Sequence, residues 1–390
     1  MKVAFLVEIN DVSKSGLYYS IISKIQNFKK YNQDIKVDVF NIAVKQPFLV
    51  RKFFKLIRFY KYPKISTYEG LECNNLYFNI NIFNYLASKI FKSFNTTKTY
   101  TLLNAKDFKK YDLVSAHYTG PVLAVYNLHL KTSTNFSNTF HGTDINITPF
   151  RSEENLKLYT DILNKATFNF FVSKTLKKKG EIIEPKMKNA FVLYNGVDLK
   201  KFKKINENRK ESIKKELKIS NTKILGFVGN FVDVKNILLL PEIFKRVKMK
   251  YNNISFLVIG NGVLADELES KMNELSIDLS YFGYVERAKI SEYYSIMDVM
   301  VLPSKNEGLP LVLLEAMACG VQCVGSDVGG ISEVIGAENS FKLEDNFIEN
   351  ISNKIVGYLL NDCKNNFNLD EFDLKLTAIK EGEIYKSTLN

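Results

Sequence analysis

Apolar residues fall in short runs, separated by polar stretches and by segments with helical spacing. The first run, Lys2–Ile9, leads into a polar loop from Asn10 to Gly16, a helical pattern from Leu17 to Phe28 and a β-rich run over Ile35–Ile42. Strand, loop, helix, strand is the βαβ unit of a parallel sheet. Runs at Leu113–Ala116, Asn138–Phe140, Phe168–Val172 and Ala190–Leu193 predict further strands. The stretch Leu199–Asn221 is polar and lysine-rich and reads as a linker followed by a surface helix. The rhythm then restarts. Strands are predicted over Lys223–Val228, Ile254–Ile259, Leu279–Phe282, Val299–Leu302 and Val321–Val324. Helices are predicted between them, over Ile237–Tyr251, Leu264–Leu275, Ala288–Ser295 and Leu311–Cys319. The pattern is that of two successive nucleotide-binding-type α/β units, with no close internal repeat and no low-complexity tract.

Length and composition agree with this. A chain of 390 residues, 46% apolar and 25% charged, suits two ordinary globular domains and excludes wholesale disorder or a disulfide scaffold. No apolar run approaches the roughly 18–20 residues of a membrane span. The first run is short and broken by Glu8, so it reads as a strand and not as a signal peptide. Four cysteines (Cys73, Cys319, Cys323, Cys363) suit a reducing compartment without disulfides, and the expected location is the cytoplasm. Cys319 and Cys323 read as small buried residues. Three histidines and no Cys-x-x-Cys argue against a zinc site.

Charge changes the picture more. Residues 1–196 carry 29 Lys and Arg against 14 Asp and Glu, whereas residues 197–390 carry 25 against 28. The basic excess therefore lies in the first half. Within it, Lys45–Lys64 holds seven cations and no acid, interleaved with six aromatics, and Arg51, Lys52, Phe53, Phe54, Lys55 and Arg58 lie at its centre. An amphipathic basic helix with this composition suits an anionic bilayer; the alternative is that its aromatics are core and its lysines a solvated face. No nucleic-acid-binding motif accompanies the charge, and no nucleic-acid partner is expected.

The segment Val299–Ile335 carries the most chemistry. A strand ends at Pro303, and a loop delivers Glu307-Gly308-Leu309-Pro310-Leu311 to the start of a helix that runs through Glu315 to a stop at Gly320. Ligands of open parallel sheets bind at this edge, and a helix N-terminus suits a diphosphate. Two carboxylates eight residues apart would accept sugar or ribose hydroxyls, or would be surface charges beside a turn. Gly229-Asn230 also ends a strand, and Lys235 could meet a phosphate there as a point charge. Ser13-Lys14-Ser15-Gly16, after the first strand, is a phosphate loop or an ordinary βα turn. His141, in Phe140-His141-Gly142-Thr143-Asp144, stands at a strand end; His117 is a weaker case of the same kind, and His129 reads as structural.

Together these elements resemble family 4 glycosyltransferases of the GT-B fold. The resemblance is carried by Glu307 to Leu311 through Glu315-Ala316-Met317-Ala318-Cys319-Gly320 and on to Ser326-Asp327-Val328-Gly329-Gly330, the family's E-x7-E region. Tyr194-Asn195-Gly196-Val197-Asp198, Phe227-Val228-Gly229 with Lys235, and His141-Gly142-x-Asp144 agree in order and spacing. The resemblance is most specific over 225–335 and loosest over 40–110. It implies two Rossmann-like α/β domains facing each other across a cleft. These would be an acceptor domain over 1–196, a nucleotide-sugar domain over 197–370, and a C-terminal helix over 371–390 packing back on the first.

The resemblance also implies roles. Glu307 would hold sugar hydroxyls, with the backbone of Gly308, Leu309, Pro310 and Leu311 near the sugar and diphosphate. Glu315 would bind the ribose, and Lys235 would stabilise the leaving diphosphate. Gly229 and Gly16 would let backbone approach phosphate or acceptor, His141 would lie beside the donor sugar, and Tyr284-Val285 would meet the base. Asn230 departs from the pattern, since many members carry arginine there. The implied reaction is retaining transfer from a nucleotide sugar, UDP-sugar by default, to a glycan or lipid-linked acceptor in surface polysaccharide or glycolipid synthesis. No cofactor or metal would be required, and contact would be peripheral on the inner membrane face. Two other readings stay open: a catalytically silent GT-B partner subunit or glycan-binding protein, favoured by Asn230, and a nucleotide-sugar epimerase of the same fold.

Overall fold

The structure, a computed structural model, describes residues 1–10, 14, 16–45, 63–79, 108–219, 223–361 and 368–389. The basic aromatic segment, including Arg51, Lys52, Phe53, Phe54, Lys55 and Arg58, lies outside them. The chain forms two compact units. The first comprises Met1–Val172, Leu176–Leu193 and Ala378–Asn390; the second comprises Ser173–Thr175 and Tyr194–Thr377.

In the first unit the strands are β1 (Lys2–Val7), β2 (Lys36–Lys45), β3 (Ile65–Tyr68), β4 (Leu71–Asn79), β5 (Leu113–His117), β6 (Phe136–Phe140), β7 (Phe168–Phe171) and β8 (Ala190–Val192). They form one sheet in the order β3-β4-β2-β1-β5-β6-β7-β8. Every neighbour is parallel except β3 against β4. Helices α1 (Gly16–Tyr31), α2 (Thr119–Thr132), α3 (Glu153–Lys165) and α4 (Lys174–Ile183) connect them. Strand β1 sits in mid-sheet, and Val3 to Val7 are all fully buried. A strand covered on both faces needs such an unbroken apolar run. In α3 the physics is local: Ser152 caps the helix by accepting from Asn155 N, Glu153 and Glu154 meet the positive dipole end, and Tyr159, Ile162 and Leu163 share one buried face.

The core of this unit joins β1, α1 and β7 to a residue from the far end of the chain. Phe5 meets Phe28 edge-on at 5.1 Å, and Phe28 meets Tyr385 at 5.7 Å. A buried ion pair accompanies that packing. Lys24 Nζ lies 3.4 Å from Glu381 Oε2, with the two side chains 1% and 0% exposed. Tyr385 donates to Glu381 Oε1 at 2.8 Å and stands 3.0 Å from Ser115 Oγ.

The second unit is a six-stranded, all-parallel sheet in the order β11-β10-β9-β12-β13-β14. Its elements are α5 (Glu207–Glu216), β9 (Lys223–Val228), α6 (Leu240–Lys250), β10 (Ile254–Ile259), α7 (Ala265–Glu274) and β11 (Leu279–Gly283). They continue as α8 (Ile290–Ile296), β12 (Val299–Leu302), α9 (Leu311–Ala318), β13 (Gln322–Ser326), α10 (Ile331–Ile335), β14 (Ser340–Phe341) and α11 (Phe347–Leu360). The last helix, α12 (Leu374–Leu389), begins in this unit and from Ala378 belongs to the first. At the C-terminal strand edge the backbone is tightly packed. A Cβ on Gly260 would stand 1.8 Å from the Gly229 carbonyl oxygen, so a glycine just after β10 lets the backbone that follows β9 touch it. No helix among the described residues is long and apolar enough to cross a membrane.

Candidate functional site

The loop between β12 and α9 is held from three sides. Lys235 Nζ donates to Glu307 Oε1 at 2.6 Å, and Ser304 Oγ donates to the same oxygen at 2.7 Å. The Lys235 and Glu307 side chains are only 21% and 10% exposed. Lys305 N donates to the Val234 carbonyl at 2.8 Å, and the exposed Lys305 ammonium pairs with Asp233. From behind, the turn after β13 presses on the loop backbone. Gly329, at φ +57°, would carry a Cβ 1.9 Å from the Glu307 carbonyl oxygen, and a Cβ on Gly330 would stand 2.5 Å from that of Gly308. Only glycine permits this approach, so the Gly329-Gly330 pair sets the height of the Glu307 loop.

Pro310 precedes the first turn of α9 and supplies no side-chain cap. The first N–H groups of a helix have no intrahelical acceptor and carry the positive end of the dipole. The Lys235 ammonium and the Glu307 carboxylate meet beside the loop that leads into this helix start.

Glu315 lies one turn into α9 and is buried, but its carboxylate is engaged. Arg287 grips it with both terminal nitrogens, and Tyr294 donates to Oε2 at 3.1 Å. Tyr294 is fully buried, and burial followed by the Glu315 charge raises its phenol well above the usual range. The Arg287 guanidinium also stacks 5.3 Å from the Phe202 ring. A carboxylate has about four acceptor positions. Arg287 and Tyr294 take three of them, and the fourth is on Oε1.

Other expected residues sit as follows. Gly16 opens α1, and a Cβ there would meet nothing within 4 Å among the described residues. Gly229 and the exposed Asn230 follow β9 directly. Tyr284 is 63% exposed just after β11, with Val285 half-buried beside it. Leu309 is buried. Cys319 and Cys323 are buried thiols, and burial pushes the first up to about 11. The structure joins Lys235 directly to Glu307, while Glu315 has its own partners.

His141 belongs to the first unit. It follows β6, and the Asp144 carboxylate accepts from its backbone N–H (2.9 Å) and from that of Gly142 (2.7 Å). Burial, offset by these N–H groups, raises Asp144 to about 6. The His141 ring is 3.3 Å from that of His117, measured from Nε2 to Nδ1. Burial and then the Lys24 charge lower His141 to about 3 and hold His117 well below its usual range.

Sequence reasoning missed Arg287, Tyr294 and Ser304. Arg287 and Ser304 stand four and two residues past strand ends at the edge where Glu307 was sought, and that position was the available signal. Nothing in the pattern marks Tyr294.

Comparison with known proteins fits this picture. Residues 208–371, within the second unit, match the family described as "Glycosyl transferases group 1". The chain is 30% identical over 198 residues to N-acetyl-alpha-D-glucosaminyl L-malate synthase of Bacillus anthracis, covering 50% of this chain and 51% of that protein. It is 33% identical over 174 residues to UDP-Gal:alpha-D-GlcNAc-diphosphoundecaprenol alpha-1,3-galactosyltransferase of Escherichia coli, covering 42% and 44%. The matched region thus spans about half the length of these curated relatives. Among solved structures, Anabaena Alr3699/HepE in complex with UDP and glucose superposes with a TM-score of 0.69 at 16% identity, over 99% of this chain and 100% of that one. The two-unit α/β fold with parallel sheets is the GT-B glycosyltransferase fold.

Proposed function

We propose that this chain is a retaining glycosyltransferase of family 4. It would move a sugar from a nucleotide sugar, a UDP-sugar, to a glycan or lipid-linked acceptor in surface polysaccharide or glycolipid synthesis. The observation that carries the reading is the Lys235–Glu307 bond beside the loop into α9, with Glu315 one turn further on. The similar proteins support it: the Escherichia coli enzyme is named for UDP-Gal and a diphosphoundecaprenol acceptor, and the Anabaena structure holds UDP.

The chemistry follows from charge. Cleavage of the anomeric bond leaves negative charge on the diphosphate and positive charge on the sugar. Open N–H groups at the α9 start and the Lys235 ammonium stabilise the departing phosphate without reorganising. An ammonium has three protons, so Lys235 can keep Glu307 while it donates to phosphate. Both observed bonds to Glu307 fall on Oε1, and Oε2 takes the sugar hydroxyl. The remaining position on Glu315 Oε1 takes one ribose hydroxyl. His141 serves the donor sugar, and no metal is needed for turnover.

The test is a thermal-shift series with UDP, GDP and ADP and their sugars, run on the wild type and on Glu315→Ala. A ligand that binds only the folded state raises the melting temperature by mass action. A shift with one base that vanishes in Glu315→Ala supports the reading. No shift with any of them returns the silent-partner alternative, which Asn230 favours. Conversion of a nucleotide sugar into a second nucleotide sugar without acceptor would point to an epimerase.

A further inference from the structure

The donors around the Glu315 carboxylate divide its two oxygens unequally, and that division limits what else can bind there. Arg287, Tyr294 and Glu315 all belong to the second unit. Arg287 Nη1 donates to Oε2 at 3.0 Å, and Nη2 donates to Oε1. The guanidinium therefore lies across both oxygens at once, in the fork geometry of a bidentate pair. Tyr294 adds a second bond to Oε2 at 3.1 Å. The Phe202 ring backs both donors, 5.3 Å from the guanidinium and 6.2 Å from the Tyr294 ring. The Glu315 side chain is only 3% exposed, so little of the carboxylate is left to a ligand.

A ribose carries two neighbouring hydroxyls on one side of its ring. To give both to one carboxylate it needs what an arginine needs, one acceptor position on each oxygen, side by side. Of the roughly four positions on a carboxylate, Arg287 takes that adjacent pair, and Tyr294 takes the other one on Oε2. The position that remains is on Oε1, on the side away from the guanidinium, and it accepts one hydroxyl. The second hydroxyl finds Oε2 already filled.

We infer that Arg287 is a specificity-determining residue: it occupies the paired face of Glu315, so that a bound nucleoside diphosphate is read at one ribose hydroxyl and not at both. The inference rests on the nucleotide reading proposed above and goes past it to a ligand class. Nucleoside diphosphates that lack the unread hydroxyl bind as well as the ribonucleotide, and those that lack the read one do not. Without Arg287 the paired face is open and both hydroxyls are read.

The test is titration calorimetry of the full chain with UDP, GDP and ADP and with the 2′-deoxy and 3′-deoxy form of each. For the base that binds, one deoxy form is expected to weaken by about tenfold or more, the loss of a hydrogen bond to a charged acceptor. The other is expected to stay within about twofold of the ribonucleotide. Two weakened forms in the wild type, or two unweakened ones, overturn the inference. In Arg287→Met both deoxy forms should weaken relative to the ribonucleotide. Arg287→Lys keeps the charge but cannot hold both oxygens in a fork, so it should show the same change in a less perturbed fold. Tyr294→Phe leaves Arg287 on the paired face and should keep the wild-type pattern. The ratio between ligands is taken within one variant, so lower stability alone does not move it. The wild-type pattern in both Arg287 variants, or no binding by either, overturns the role of Arg287. Wild-type protein that binds none of the nucleoside diphosphates refutes the proposed function itself, an outcome distinct from a wrong pattern among ligands that bind.

Discussion

Arg287→Met is the substitution with the most to say about the second unit. It leaves the Glu315 carboxylate, only 3% exposed, with Tyr294 as its remaining donor. Removing one member of a fully buried ion pair costs about 3–5 kcal/mol, whereas exposed pairs contribute about 0–1. Arg287 is 29% exposed, so water can reach part of the vacated space, and a loss of about 2–3 kcal/mol is expected. For a unit of 150–250 residues each kcal/mol moves the melting temperature by roughly 2–4 °C, which gives a drop of about 5–10 °C. The chain has no tryptophan, so calorimetry or far-ultraviolet circular dichroism is the suitable readout. Arg287→Met combined with Glu315→Gln removes both charges and should return to within about 1 kcal/mol of wild type, because the uncompensated charge is what destabilises. Lys305→Ala, which breaks the exposed pair with Asp233, is the control and should change stability by no more than about 0.5 kcal/mol. A single variant as mild as the control, or a double variant that is the sum of its singles, would refute the reasoning.

Gly329→Ala should lower nucleotide affinity at least tenfold while the far-ultraviolet spectrum is kept, because its methyl group must displace the Glu307 carbonyl; unchanged binding by titration calorimetry would contradict the proposed role of that turn. Asn230→Arg adds a cation just after β9, five residues before Lys235, and should tighten nucleoside diphosphate binding several-fold, more at low salt than at high. The first unit should lose stability on acidification. Unfolded histidines protonate near pH 6.5, whereas His141 in the fold resists protonation down to about 3 and His117 resists it too, so the unfolded state binds more protons across that window. Each such histidine contributes a slope of about 1.4 kcal/mol per pH unit. Asp144, raised to about 6, acts in the opposite sense between pH 3.8 and 6. His141→Gln keeps Asp144, so its melting temperature should fall less steeply than that of wild type from pH 7 to 5, and parallel curves would contradict the assignment.

Strands in the second unit were legible because a parallel strand covered on both faces must be apolar throughout. The runs Lys223–Val228, Ile254–Ile259 and Val299–Leu302 appear in the structure with the expected ends. The β3–β4 hairpin was not legible. It lies at the sheet edge, β3 alternates half-buried and exposed residues, and the asparagines of β4 resemble a loop in composition. Helix α6 begins later than its pattern, since Ile237–Leu239 is a 3-10 turn entered through Asn236 in the left-handed region. At the site, Lys235, Glu307 and Glu315 could be sought from position alone, at strand ends and a helix start. Their partners could not: Arg287 has the composition of a surface charge, and only the burial of Glu315 gives it a function. Lys24 likewise sits in a helical pattern where lysine normally faces water, and its partner is 357 positions away at Glu381.

That last pair bears on how the protein is made. The first unit cannot close over Lys24 until residues 378–389 exist, yet its strands β1 to β8 are complete by Val192. At about 5–20 residues per second, translation from Tyr194 to the end of α12 takes roughly 10–40 s, longer than a domain of this kind needs to collapse. During that interval a lysine and the apolar surface around Phe28 and Phe170 await the helix that covers them. Until residues 378–389 have been made, the nascent first unit therefore presents an apolar surface of the kind that chaperones bind.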